Sequence, residues 1–298
     1  MTRIRASPDR QGLLWDKDGI IMHTVGIHNS FPLIGSFLMC LLILAHQLPD
    51  LPLVVAANRD EFHARATAAS EFWPGQPQLL AGKDLEQGGT WMGITDSGRF
   101  AAITNYRDPA RTAPAPRSRG ELPLAYLQGK APPESYLQEL SRHADEYAGF
   151  NLLVGDLNSL WCFSNGTLPG ENQPQCLAPG IYGLSNARLD TPWPKVTMGK
   201  QRLQALLDAG AVNHDGLAAV VSDQQLADPA GLHQQGMNTD MERLLSAQFI
   251  VTSSYGTRST TSLWIDAQNL AHWRELSFDP QGQTSDIRER EVRLHSSP

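Results

Sequence analysis

With 298 residues, 41% of them hydrophobic and 18% charged, the chain can bury a large core and is too apolar to remain disordered. A formal net charge of -7 leaves no basic field to draw phosphate, which argues against nucleic acid as a partner. Three cysteines without a CxxC, and nine histidines without an HExxH, point away from a disulfide framework or a metal site and towards a reducing, cytoplasmic setting. No P-loop, strand-borne GxGxxG or GxSxG elbow is present, so no cofactor is expected.

Residues 1–38 differ in character from the remainder of the chain. A polar, aperiodic start leads into FPLIGSFLMCLLILA, an apolar run of fifteen residues interrupted by Gly35 and Ser36. That is short of the roughly 20 residues that span a bilayer, so no stable membrane span is expected. A secretory signal fits poorly, because the apolar stretch comes late and no Ala-x-Ala-like site succeeds it. A lipoprotein signal would want a small residue where Met39 stands. The favoured expectation is that Met39 is the biological start, with 1–38 a removable leader or an over-extended reading frame, and 39–298 a single domain. Removal of Met39 would then leave Cys40 as the first residue.

From Cys40 the pattern is strand-like: CLLILAH, a turn around Pro49 and Asp50, then LVVAANRDE. GTWMGIT and RFAAITNY form a second pair about Asp96-Ser97-Gly98, and NLLVGD and SLWCFS a third about Asn158. Three more strands are expected at FIVTSSY, TSLWID and LAHWREL. Helices are expected over Glu134–Tyr147, Trp193–Ala209, 213–221 and 239–246, with Pro194 in the first turn of the second. The segment Asp108–Gly120, rich in proline and arginine, is either a lid or a surface excursion. The mixed-sign tail from Arg288 to Arg293 reads as a solvated face or a frayed end. Strand blocks separated by helices imply an α+β fold, two antiparallel sheets with helices packed outside.

Cys40 is an ordinary core thiol on composition alone. As an N-terminal residue, however, it would carry its own base, since an α-amino group titrates at about 7.7–8 and can take the thiol proton. Asn58-Arg59-Asp60-Glu61 ends the second strand, and a hairpin folds that end back beside Cys40. An Arg there favours thiolate, and a carboxylate orients the amine. As a surface turn the same four residues need no function.

Met-Cys followed by AANRDEF, then AGKDLEQGGTWMGI, GRFAAITNYRDP, SRGELP, YAGFNLLVGD and YGLSNARLDTPWPKV, resembles the Asn-Arg-Asp-Glu family, which includes the transport and Golgi organisation 2 proteins. The resemblance covers about residues 39–275. It implies the N-terminal-nucleophile hydrolase fold, a four-layer αββα sandwich. It also implies a cysteine amidohydrolase acting on the C–N bond of a small, non-peptide molecule, with Cys40 as nucleophile. In similar cysteine acylases an Arg and an Asp stand at the end of the second strand; Arg59 and Asp60 occupy that place, though adjacent, and whether Asp60 or Glu61 faces Cys40 stays open. LSNARLDTPW nominates Asn186 as an oxyanion donor, with Asn105 of ITNYRD as a second, and SSYGTRSTT nominates Arg258. Each has a plainer alternative: a turn for Asn186, a strand end for Asn105, a solvated edge for Arg258. A non-enzymatic relative that carries haem or lipid is the rival implication.

Overall fold

Cys40 begins a run of alternating apolar side chains that has two faces to bury, and the rest of the domain supplies a layer for each. The computed structural model describes residues 40–107, 115–166, 172–229, 232 and 243–295; the expected leader, 1–38, lies outside them.

Strands β1 (Cys40–Leu48) and β2 (Leu51–Phe62) form a hairpin. Its turn places Asp50 at φ 61°, a left-handed conformation that Asp tolerates. A second hairpin comes next, β3 (Thr67–Trp73) and β4 (Gln76–Asp84), turning at Pro74-Gly75 with Gly75 at φ 76°. Then come β5 (Met92–Thr95) and β6 (Phe100–Asn105), helices α1 (Glu121–Gln128) and α2 (Pro133–Ser141), and β7 (Phe150–Gly155) with β8 (Leu160–Ser164). The short β9 (Gln175–Cys176) and β10 (Gly180–Leu184) lead to α3 (Pro194–Asp208) and α4 (His214–Val220). The chain closes with β11 (Tyr255–Ile265), β12 (Leu270–Phe278) and β13 (Thr284–Arg293).

These strands make two sheets in which every named pair is antiparallel. The first runs β10-β1-β2-β11-β12-β13 and the second β3-β4-β5-β6-β7-β8-β9. Period-two alternation decides the layers. Leu42, Leu44, Val55, Leu263 and Trp273 of the first sheet meet Leu80, Ile94, Phe100 and Leu153 of the second in one buried core. The opposite face of the first sheet, with Leu41, Ile43, Val54 and Ala56, packs on Val196 and Leu203 of α3 and on Leu217 and Val220 of α4. The outer face of the second sheet, with Leu79, Ala101, Leu152 and Val154, is covered by α1 and α2 through Leu122, Tyr126, Leu137 and Leu140. The order is therefore α, β, β, α, the four layers the resemblance implies.

Several sequence expectations need correction. The Glu134–Tyr147 helix ends at Ser141 and gives way to a 3₁₀ turn at Ala144–Glu146. FIVTSSY is not a strand. Tyr255 N donates to Thr252 Oγ1 at 3.1 Å and Thr252 N to Tyr255 O at 3.2 Å, a Thr-closed turn that outcompetes the ladder. β11 starts only at Tyr255 and absorbs TSLWID into one long strand. The charged tail is the edge strand β13, neither frayed nor uniformly solvated. Val292 is buried, and Arg290 Nε donates to Glu71 Oε1 across to β3 at 2.9 Å; such charges suit an unpaired edge. The β3–β4 hairpin, α1 and β10 lack strong periodicity and were not expected. Residues 239–242 and 108–114 lie outside the described residues.

Candidate active site

Pairing register builds the site. Cys40 stands opposite Arg59 across the β1–β2 ladder, and Asp60 stands opposite Thr257 of β11. Alternation sends Arg59 and Glu61 to the face that meets the second sheet, and Asn58 and Asp60 to the helix-covered face. Arg59 stacks on Trp91, 4.4 Å from its guanidinium carbon to the ring centroid, and reaches Glu61 at 3.6 Å. Arg65, past the end of β2, also reaches Glu61 at 3.6 Å and pairs with Asp84 at 2.6 Å. Asp60 is almost fully buried; its Oδ1 accepts from Thr257 Oγ1 at 2.6 Å and its Oδ2 has no partner among the described residues.

Asn186, in the segment between β10 and α3, joins the two sheets at Cys40. Its Oδ1 accepts the Cys40 N–H at 3.1 Å and its Nδ2 donates to Asn105 O at 2.9 Å. The adjacent Ser185 Oγ donates to Cys40 O at 2.7 Å. Here the Cys40 nitrogen is a peptide N–H; it stands in for the α-amine that the residue would have as a chain start. A cavity of about 130 Å³ opens beside the thiol, walled by Arg59, Glu61, Trp91, Asn105 and Arg119 among others.

Burial pushes the Cys40 thiol up to about 11, assisted by the Asp60 carboxylate; the Asp60 backbone N–H and the Arg59 charge pull it down. Of the two acidic residues, Asp60 thus acts more strongly on Cys40 than Glu61 does, although its carboxylate is bonded to Thr257. Burial raises Asp60 itself to about 7, against the pull of Lys195 and the Thr257 hydrogen bond. Lys195, the second residue of α3, is 2% exposed; its Nζ donates to Leu245 O at 3.0 Å. Burial brings it down to about 8, opposed by Asp60 and then Cys40.

Cys40, Arg59, Asp60, Asn186 and Asn105 are therefore gathered at one end of the sheets. Arg258 is placed differently. It is the extra residue of a β-bulge between Thr257 and Ser259, and its Nη1 donates to the carbonyls of Phe62, His63 and Arg65 at 2.9–3.2 Å. It holds the turn after β2 and does not wall the cavity. Arg119 and Lys195 are site residues that sequence reasoning missed, and Trp91 lies with Arg119 at the cavity wall. Their signals lie inside the segments GGTWMGI, SRGELP and DTPWPKV, but nothing in sequence spacing ties them to Cys40. His46, at the far end of β1, is buried away from the site. Among the described residues no group of three or more His, Cys, Asp or Glu side chains could hold a metal ion, and no helix is long and apolar enough to cross a membrane.

The layer order, with a cysteine opening the first strand of the hairpin and Arg-Asp-Glu closing the second, defines a four-layer αββα sandwich of two antiparallel sheets. The chain belongs to the Transport and Golgi organisation 2 family, whose sequence profile matches residues 39–280. It is 38% identical over 243 residues to the Transport and Golgi organization protein 2 homolog of Bos taurus, covering 76% of this chain and 86% of that one. The Mus musculus homolog is 37% identical over 242 residues, with the same shares covered. Among solved structures, a variant of conjugated bile acid hydrolase from Clostridium perfringens aligns over 87% of this chain and 99% of its own at 8% identity and TM-score 0.46. A likeness at that level adds nothing to the sheet order and packing described above.

Proposed function

We propose that this protein is a cysteine amidohydrolase that acts on the C–N bond of a small, non-peptide amide once Cys40 is its first residue. The observation that carries the reading is the 3.1 Å hydrogen bond from the Cys40 nitrogen to Asn186 Oδ1, at the edge of a cavity that the thiol also lines. With a free amine, that oxygen takes one N–H and fixes the nitrogen's lone pair relative to sulfur. The amine then accepts the thiol proton as sulfur attacks the amide carbonyl. Collapse of the tetrahedral intermediate breaks the C–N bond, and the same proton leaves with the amine. Water next cleaves the thioester, its proton passing by way of the α-amine. Arg59 favours the thiolate, and Asn186 and Asn105 are the oxyanion donors that the family resemblance implies, together with a backbone N–H. Arg258 supports this arrangement from the turn it holds. The free thiols of Cys40, Cys162 and the exposed Cys176 suit a reducing compartment such as the cytoplasm.

Carriage of haem or lipid on Cys40 is not favoured. The cavity is far below the roughly 300–1,000 Å³ of pockets that enclose drug-sized ligands, and its walls are charged.

The test compares chains beginning at Met1 and at Cys40, the latter made from a Met39 start and checked by intact mass, both with Cys176→Ser. Butyryl p-nitroanilide should leave an acyl adduct on Cys40 only in the chain with the free amine. Iodoacetamide should label its Cys40 at pH 7.5 at least about tenfold faster, as expected for a thiol given its own base. Equal labelling and no adduct in either chain would remove the amidase reading.

A further inference from the structure

Three arginines, Arg59, Arg65 and Arg119, wall the Cys40 cavity together with two acidic side chains, Glu61 and Asp84; Asp60 lines it too, but its carboxylate is turned to Thr257. The pairing is uneven. Arg59 has Glu61 and the Trp91 ring, and Arg65 has Glu61, Asp84 and Glu86. Among the described residues the Arg119 side chain makes one hydrogen bond, from Nη1 to Gly149 O at 2.9 Å, and no ion pair. A guanidinium carries five N–H donors in a planar fork, so most of this one's capacity is unspent. Burial lowers its pKa, while Cys40 and Glu61 act in the opposite sense. Arg119 is half-buried, and a partly desolvated guanidinium that faces a cavity without a carboxylate of its own gains charge-assisted hydrogen bonds from a bound anion.

We propose that Arg119 selects the substrate, and that the amide cleaved at Cys40 carries a carboxylate held by the Arg119 fork. The inference rests on the amidase reading and names its substrate class. Charge balance favours a carboxylate over a phosphate. Glu61 and Asp84 share the cavity walls, so one negative charge completes the site, whereas a dianion would face both of them. Size agrees, since about 130 Å³ takes a compact head group. The turn bearing Arg119 is itself anchored, with Thr90 N donating to Gly120 O at 3.0 Å, so the fork is presented from a fixed backbone rather than a loose arm.

The test uses the chain beginning at Cys40 and three amides: N-butanoylglycine, with the carboxylate on the amine side; N-ethylsuccinamic acid, with it on the acyl side; and neutral N-ethylbutanamide. We expect kcat/KM for one of the anionic amides to exceed the neutral one by about tenfold or more, the fold-change that charge-assisted hydrogen bonds support. Arg119→Met should collapse that ratio towards unity, and Arg119→Lys, which keeps charge but loses the fork, should lower it only in part. A ratio unchanged in both variants, or a wild type that prefers the neutral amide, would overturn the inference. If none of the three is hydrolysed, binding of the same acids to Cys40→Ala by calorimetry separates the two claims. Binding abolished by Arg119→Met upholds the anion site and counts against the amidase, and binding that ignores the variant refutes the anion site. Should Arg119→Met fail to fold, Arg119→Lys alone decides, since an equal loss on all three amides refutes selection.

Discussion

The N–H of Cys40 donates to Oδ1 of Asn186 across 146 residues of sequence, at 3.1 Å, while the same Asn186 donates from Nδ2 to the Asn105 carbonyl of the opposite sheet. One buried amide thus sets where the first strand begins relative to both sheets, and any amine on Cys40 would inherit that position.

Replacing Asn186 with Ala removes its side-chain bonds to the Cys40 N–H and the Asn105 carbonyl. Unfolding in urea should show a loss of about 1–3 kcal/mol, the cost of losing buried hydrogen bonds. If the proposed chemistry holds, kcat should fall by about 10²-fold or more, as when an oxyanion or positioning donor is removed. Lost stability with full activity would make Asn186 a structural clamp only.

Arg59 is 7% exposed, stacked on Trp91 and paired with Glu61. Arg59→Met should cost ~3 kcal/mol, because a buried pair is broken from one side; Arg65 continues to meet Glu61, which limits the damage. Since Arg59 pulls the Cys40 thiol down, its loss should also slow alkylation of Cys40 at pH 8. Arg59→Lys should fall between the two, keeping charge but losing the planar stack. The readouts are a denaturation midpoint and the time course of iodoacetamide labelling.

Glu275 of β12 is 1% exposed, accepts from Ser70 N at 2.7 Å, and is raised by burial to about 7. A carboxyl raised on folding is stable while protonated, so its contribution is fully present below pH ~4.5 and is lost as pH rises through about 7. That amounts to about 3 kcal/mol at 1.36 kcal/mol per pKa unit. Asp60 is raised in the same direction. Glu275→Gln should therefore flatten the fall in stability between pH 4.5 and 7 and leave the protein more stable at pH 8. An unaltered slope in urea titrations across that range would refute the assignment.

Gly89 lies against the turn that bears Arg119. A Cβ there would come within 2.4 Å of the Gly120 carbonyl carbon and oxygen, both backbone atoms that cannot swing aside. Gly89→Ala should cost about 1–3 kcal/mol and displace the Arg119 fork. KM for a carboxylated amide should consequently rise more than kcat falls. Unaltered kinetics would mean that the turn relaxes without moving Arg119.

Some of this was legible in the chain. The hairpin Cys40–Phe62 came from two apolar runs flanking Pro49-Asp50, and its pairing brought Arg59 opposite Cys40. The α3 helix came from Pro194 at its start and a leucine stripe along its length. Elsewhere local signals misled. FIVTSSY has strand composition, but Thr252 closes a turn within it. The Arg288–Arg293 tail has the charge of a solvated end, yet Val292 and Leu294 are buried and make it a sheet edge.

What the sequence by itself determined was the alternation that gives each sheet two apolar faces, and with it the αββα order, because period-two burial leaves few other ways to cover them. It also marked the polar segment at the end of β2 as chemically loaded. Only the tertiary structure decided which polar groups from distant segments meet there. Asn186 meets the Cys40 nitrogen, Lys195 lies behind Asp60, Arg119 walls the cavity without a carboxylate, and Arg258 is turned away by a bulge. Those outcomes depend on register between sheets and on packing of loops whose own sequences carry no period, so no local pattern encodes them.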